Sequence, residues 1–308
     1  MGSPDFAVPC LDALRVHEHE VALVVSQPDR PVGRGRRFRP TAVKEAAEAA
    51  GLPVITQDRG VAQRRRVEAA VADLAPDVAV VVAFGHILRE PLLSTPRHGC
   101  VNVHFSLLPR WRGMSPVQQA LMHGDQWTGV SIIRMDAGVD TGPLLGVQPV
   151  AIDPCETGGD LLARLGRIGA EELVTTLARL ATDTAEPVAQ GDEGAVYAPR
   201  LTRSLSPVRW DRDVVTVHNQ IRALDPFPGT TSYLADQPLK LGRAEPAGLH
   251  ATGAPPGAVL AVGAEGVVVA CGRGSLRLLS LQAPGRRMLP AAEFLRGFPV
   301  SVGQVFTS

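Results

Sequence analysis

Lysine is nearly absent. Lys44 and Lys240 are the only two, so the 31 basic side chains are almost all arginine, and they offset 31 acidic ones to a formal net charge of zero. That balance excludes a chain that coats nucleic acid by bulk charge, and it leaves room for a local basic patch. The arginine bias reads as codon usage in a GC-rich genome before it reads as a demand for guanidinium. Cysteine is scarce too. Cys10, Cys100, Cys155 and Cys271 stand far apart with no C-x-x-C pair, which excludes a disulfide framework or a zinc site and suits cytosolic thiols. The 8 histidines contain no H-E-x-x-H, and no metal is expected; His17-Glu18-His19 reads as a solvated turn. No apolar run is long enough to cross a bilayer, and the first residues lack a signal-peptide layout. A soluble, cytoplasmic chain without a membrane partner is expected, as a monomer.

What is present is an alternation. Valine-rich runs at Glu20–Ser26, Pro76–Phe84 and Gly99–His104, with a shorter one at Leu52–Ile55, suit strands covered on both faces. Between them the spacing predicts helices over Val8–Val16, Thr41–Ala50 and Val61–Leu74, with Thr41 as N-cap and Gly51 as stop. This is the pattern of an α/β, doubly wound, mostly parallel sheet. Ser115-Pro116 is expected to open a further helix as N-cap and first turn, ending near His123-Gly124. Strands are expected over Gly129–Met135 and Leu144–Ile152, then a long helix over Gly158–Ala181.

Residues 182–207 turn polar and irregular and read as a linker between a domain at 1–181 and a smaller one at 208–308. A chain of 308 residues is long enough for two such domains. After a helix at Asp213–Leu224, short strands with Gly and Pro punctuation follow. They run over Thr231–Leu234, Leu239–Ala244, Gly257–Val262, Gly266–Ala270 and Leu276–Gln282, and suggest a small barrel or sandwich.

Three residues carry candidate chemistry: Asn102, His104 and Asp140. Alternation along Asn102-Val103-His104 puts the amide and the imidazole on one face of a strand. An amide, an imidazole and a carboxylate are the groups needed to manage protons and developing charge at a carbonyl carbon. Taken singly, Asn and His at a strand end are ordinarily turn-forming or structural, and Asp140-Thr141-Gly142 alone reads as a turn or cap. The Ser106-Leu107-Leu108-Pro109 stretch that follows shifts the balance toward a catalytic set.

With those residues in view, the chain resembles the methionyl-tRNA formyltransferase family along almost its whole length. The likeness rests on Gly2-Ser3-Pro4-Asp5-Phe6-Ala7-Val8, Gln27 to Gly35, Val81 to Leu88, Asn102 to Gly113, Met135 to Gly142, and Asp225 to Gly229. It implies a Rossmann-like catalytic domain joined to an OB-like C-terminal domain. The implied reaction moves a formyl group from 10-formyltetrahydrofolate to the α-amino group of methionine on initiator tRNA, with no metal and no covalent intermediate.

By the family pattern Asn102, His104 and Asp140 are catalytic. Ser106, Leu107, Leu108 and Pro109 would line the folate site, with the backbone of Phe84, Gly85, Ile87 and Leu88 and the loop beginning at Asp136. In that chemistry Asn102 suits an oxyanion donor, a contribution of roughly 3–4 kcal/mol. His104 suits an acid, and Asp140 its orienting partner. Arg34, Arg36, Arg37 and Arg39 are implied to meet the tRNA acceptor stem. Arg200, Arg203, Arg243, Arg286 and Arg287 are weaker candidates, and Trp111 is expected to pack rather than stack on a nucleotide. Gly33-Arg34-Gly35 is not a dinucleotide fingerprint: it lacks the third glycine, and Pro40 interrupts the run into the next helix.

Two departures from the family stand out. The segment Arg200 to Trp210 lacks the family's Lys-rich linker pattern. No apolar strand precedes Gly2, where a doubly wound sheet needs its central strand, so the natural chain is expected to begin several residues earlier. Other readings remain beside the main one: a folate formyltransferase acting on a nucleotide-linked amine or an amino sugar, a formyltetrahydrofolate hydrolase, and a non-catalytic RNA-binding protein.

Overall fold

The computed structural model describes residues 1–32 and 37–308. The candidate tRNA contacts Arg34 and Arg36 lie outside the described residues. The chain divides into two compact units. The first holds residues 1–113, 128–151 and 162–197; the second holds 114–127, 152–161 and 198–308.

The elements of the first stretch are α1 (Val8–Val16), β1 (Val24–Ser26), β2 (Arg30–Val32), β3 (Arg37–Arg39), α2 (Ala42–Ala49), β4 (Val54–Thr56), α3 (Val61–Leu74), β5 (Ala79–Val81) and β6 (Cys100–His104). Then come β7 (Arg112–Gly113), α4 (Pro116–His123), β8 (Trp127–Arg134), β9 (Leu144–Ala151), α5 (Gly158–Ala181) and β10 (Tyr197–Ala198). The caps follow local chemistry. Thr41 accepts a hydrogen bond from the Lys44 N–H at 3.2 Å, and Gly124 closes α4 in the left-handed conformation. Ser115 stands at the N-cap of α4 with Pro116 in the first turn, as expected, but its hydroxyl makes no cap bond and donates to the Pro199 carbonyl.

The first unit's sheet comes in two pieces. β1 pairs with β4 in parallel, and a four-stranded piece has the order β5-β6-β8-β9. β5 and β6 are parallel, with Val81 beside Asn102; β8 runs antiparallel to β6, with Ile133 beside Asn102 and Ser131 beside His104. Among the described residues, Met1 and Gly2 carry the backbone bonds between the two pieces. The Gly2 N–H donates to Val25 O (3.0 Å), the Val82 N–H to Met1 O (2.8 Å), and the Met1 ammonium to Val80 O (2.6 Å). A cavity of about 750 Å³ lies between residues 19–25 and 76–82, lined also by Leu11, Val71, Leu177 and Leu180. Of the long apolar runs at 20–26 and 76–84, Val24–Ser26 and Ala79–Val81 stand in the ladders with β4 and β6.

α5 covers the four-stranded piece. A Cβ on Gly169 would stand 2.9 Å from Val103 and 3.2 Å from Phe105, and one on Gly166 would overlap the Phe6 carbonyl. These glycines let the helix backbone approach β6 and the first turn closely.

The second unit contains α4, α6 (Val214–Leu224), β11 (Thr230–Leu234), β12 (Gln237–Leu241), β13 (Ala244–Gly248), β14 (Val259–Gly263), β15 (Gly266–Ala270), β16 (Ser275–Leu278), β17 (Ser280–Gln282), β18 (Leu289–Pro290), α7 (Ala291–Gly297) and β19 (Phe306–Thr307). The Asp213 carboxylate caps α6 through the N–H groups of Val215 and Thr216. The strands form two sheets, β18-β17-β12-β11-β19 and β13-β16-β15-β14, around a core containing Trp210, Ile221, Leu239, Val267 and Phe306. Among the described residues they do not close into one barrel. β13, α7, β18 and β19 extend the strand set expected from the sequence. No helix among the described residues is long and apolar enough to cross a membrane.

Candidate active site

Asn102 and His104 sit at the C-terminal end of β6, and two turns close around them. The first turn leaves β6 through Ser106. The Ser106 hydroxyl is fully buried and donates to Arg110 O at 2.7 Å, while Ser131 donates to Ser106 O (2.7 Å) and accepts from the Leu108 N–H (3.2 Å). The turn passes a cis Leu108–Pro109 bond and Trp111 at φ 64°. It thereby aims the Trp111 carbonyl and the Gly113 N–H at the strand end. The second turn carries Asp140, also in the left-handed region at φ 52°. It is shaped by Asp136, whose carboxylate accepts from the Gly138 N–H (3.0 Å) and the Thr141 hydroxyl (2.7 Å).

The three candidate residues meet at the Asp140 carboxylate. Its Oδ1 accepts from Asn102 Nδ2 at 3.1 Å, and its Oδ2 from the Gly113 N–H at 2.8 Å. His104 Nδ1 lies 3.5 Å from Oδ2. His104 Nε2 faces the Trp111 carbonyl at 2.9 Å; a carbonyl only accepts, so Nε2 carries the proton. His104 is 5% exposed, so its tautomer and ring plane are set by these neighbours. An amide nitrogen has two hydrogens; Asp140 takes one from Asn102, and the second is left for a ligand oxygen.

The candidate folate-lining residues divide by burial. Ser106, Leu108, Phe84 and Leu88 are buried, whereas Ile87 is 72% exposed and Leu107 and Pro109 are half-buried. The side chains placed to meet a ligand are therefore Leu107, Pro109 and Ile87, and the buried four shape the backbone. The segment Phe84–Leu88 follows β5, whose Val81 pairs with Asn102, so two parallel strand ends open side by side there. Gly85 (φ 78°) leaves room for Gln27, whose Nε2 donates to Phe84 O at 2.7 Å. Burial, with Arg59 and Arg30 nearby, holds the His86 pKa below the usual imidazole value.

Of the basic candidates, Arg37 and Arg39 are exposed on β3, which pairs with β2 as an antiparallel hairpin. Arg243 is engaged by Asp160 at 2.7 Å and Arg287 lies 3.8 Å from Glu293, while Arg200, Arg203 and Arg286 are exposed. Trp111 is buried, with the Arg110 guanidinium 4.4 Å from its ring centre. Two further residues at the site are not among the candidates named from the sequence. Gln27 is marked only as the first residue of the Gln27 to Gly35 family stretch, and Gln190 has no sequence signal; both work through single amide groups. Gln190 Nε2 donates to the carbonyls of Asp140 and Gly142.

The parallel strand ends, the buried imidazole and the carboxylate are the features of an α/β group-transfer domain. Residues 1–177 match the formyl transferase family and residues 200–299 its C-terminal domain, and the chain belongs to the formyl transferase family. Within that family it stands with the methionyl-tRNA formyltransferases. It is 45% identical to the methionyl-tRNA formyltransferase of Aromatoleum aromaticum, over 99% of this chain and 95% of that one. It is 46% identical to that of Gluconobacter oxydans, over 98% and 97%. The fold is also similar to an N-formyltransferase from Helicobacter canadensis solved with folinic acid and dTDP-3-aminofucose; the TM-score is 0.65 at 17% identity, covering 90% of this chain and 96% of that one. The fold is Rossmann-like with a mixed, mostly parallel sheet, followed by a β-rich C-terminal domain.

Proposed function

We propose that this chain transfers the formyl group of 10-formyltetrahydrofolate to the α-amino group of methionine on initiator tRNA. The observation that carries the reading is the meeting of Asn102, His104 and Asp140 at the end of β6. Two full-length relatives bearing that name support it. The folate supplies the formyl group; the rest is the work of the chain.

In this reading the free N–H of Asn102 stabilises negative charge on the formyl oxygen, a term of roughly 3 kcal/mol. His104 is the acid. Its two ring nitrogens are engaged, so one bond must be given up for the reaction. The bond to the Trp111 carbonyl is the one to give up, since a neutral hydrogen bond contributes only about 0.5–1.5 kcal/mol net. Asp140 keeps the ring oriented while His104 passes its proton to the departing folate nitrogen, and the proton released by the amine goes to Asp140 through water. Leu107, Pro109, Ile87 and the backbone of Phe84 to Leu88 hold the folate, with the Asp136 turn as the opposite wall. Arg34, Arg36, Arg37 and Arg39 meet the tRNA.

The same reading divides the chain into a catalytic domain (1–181), a linker (182–207) and an OB-like tRNA-binding domain (208–308), acting as a cytoplasmic monomer. The two family matches, at residues 1–177 and 200–299, support a division of the chain between 177 and 200. The test is incubation with 10-formyltetrahydrofolate and charged initiator tRNA. Formylmethionyl-tRNA is expected from the parent chain and strongly reduced product from His104→Ala and Asp140→Ala. No formylated product, with the folded protein confirmed by circular dichroism, overturns the proposal.

A further inference from the structure

We propose that Gln190 is a positioning residue that holds the Asp140 carboxylate against Asn102 and His104; this rests on the reading of that trio as catalytic. Gln190 lies beyond α5, on a stretch fixed to the start of β9 by two bonds between Val188 and Leu144, of 2.8 and 2.9 Å. Both hydrogens of its amide nitrogen are spent on the Asp140 loop, on Asp140 O at 2.9 Å and Gly142 O at 2.7 Å. Its amide oxygen accepts from Arg112 Nε at 3.2 Å. Arg112 belongs to the other turn, the one that lends the Trp111 carbonyl to His104 and the Gly113 N–H to Asp140. The Arg112 guanidinium is held in turn by Gly191 O (3.2 Å) and Asp192 (3.4 Å). One half-buried side chain thus ties together the two turns from which the trio draws its partners.

Backbone geometry gives the tie its function. Asp140 has φ 52°, a left-handed conformation that a residue with a side chain holds only when its surroundings impose it. The carbonyls that Gln190 restrains are that of Asp140 itself and the one two residues on. Glutamine suits the task uniquely among neutral side chains of its length, since one planar group donates twice and accepts once. Glutamate would set a carboxylate oxygen against two carbonyls, and asparagine is a methylene short.

The test is steady-state formylation by the full chain carrying Gln190→Ala or Gln190→Glu, varying folate and methionyl-tRNA separately, with melting temperatures alongside. Gln190→Glu keeps the side-chain length and the acceptor for Arg112 but removes both donors. In both variants kcat is expected to fall about 10- to 100-fold, the effect of a misplacement near 1 Å, with both KM values within about threefold of the parent. The melting temperature of Gln190→Glu is expected to stay near the parent's, which keeps the test valid should Gln190→Ala fold poorly. Gln190→Glu is further expected to cost less than about twofold in an Asp140→Asn background, because it acts through that carboxylate. Parental kcat in Gln190→Glu, or an undiminished loss in the Asp140→Asn background, overturns the inference. Parental kcat in Asp140→Asn alone would instead remove the catalytic reading of the trio, and this inference with it.

Discussion

His218 lies on α6 and is 7% exposed; burial, with the Arg222 guanidinium nearby, lowers its pKa from 6.5 to about 4. Unfolding returns the imidazole to water. Between pH 4 and pH 6.5 the unfolded chain therefore binds more protons than the folded one, and stability must rise with pH through that window. A shift of that size corresponds to about 3 kcal/mol.

Burial pushes the Cys10, Cys100 and Cys271 thiols up from 9.0 to about 12, about 11 and about 12, so they erode stability as pH rises past about 8, where the unfolded thiols ionise and the folded ones do not. Urea unfolding of the parent chain and of His218→Gln from pH 4 to pH 7 isolates the imidazole. The parent is expected to lose about 3 kcal/mol more than His218→Gln as pH falls through that range. Equal slopes for the two chains would refute the reasoning.

Three further outcomes are expected. His104→Ala and Asp140→Asn should each lower the formylation rate by about 10²–10⁴-fold in single-turnover assays. Asn102→Ala should lower kcat by about 10²–10³-fold with little change in the KM for tRNA. In Gly142→Ala the added Cβ would overlap the Arg134 carbonyl, so the Asp140 loop must move; activity should drop at least about tenfold, read against the melting temperature.

What the sequence discloses follows how local each cause is. The helices Val8–Val16, Val61–Leu74 and Gly158–Ala181 are read to the residue because their apolar spacing and their start and stop signals lie within a few residues of one another. The strands are read as runs but not as ladders. Glu20–Ser26 and Pro76–Phe84 shorten to Val24–Ser26 and Ala79–Val81 because pairing depends on what lies beside them. Ala244–Gly248 escapes notice because Pro246 and the small residues Ala244, Ala247 and Gly248 weaken its pattern, yet the sheet supplies partners for it. At the site, alternation places Asn102 and His104 on one face. The return of Asp140 across 38 residues follows from no local signal and is legible only through the family motif. Gln190 is legible in neither way, since an isolated glutamine in an irregular stretch resembles any other.

The close approach of α5 to β6 has a mechanical consequence. Gly169 lets the helix backbone pass against Val103 and Phe105, next to the strand positions of Asn102 and His104. A close-packed interior transmits displacement rather than absorbing it. A methyl group added at Gly169 would therefore push on the strand from behind and shift the amide and the imidazole together, although it touches neither.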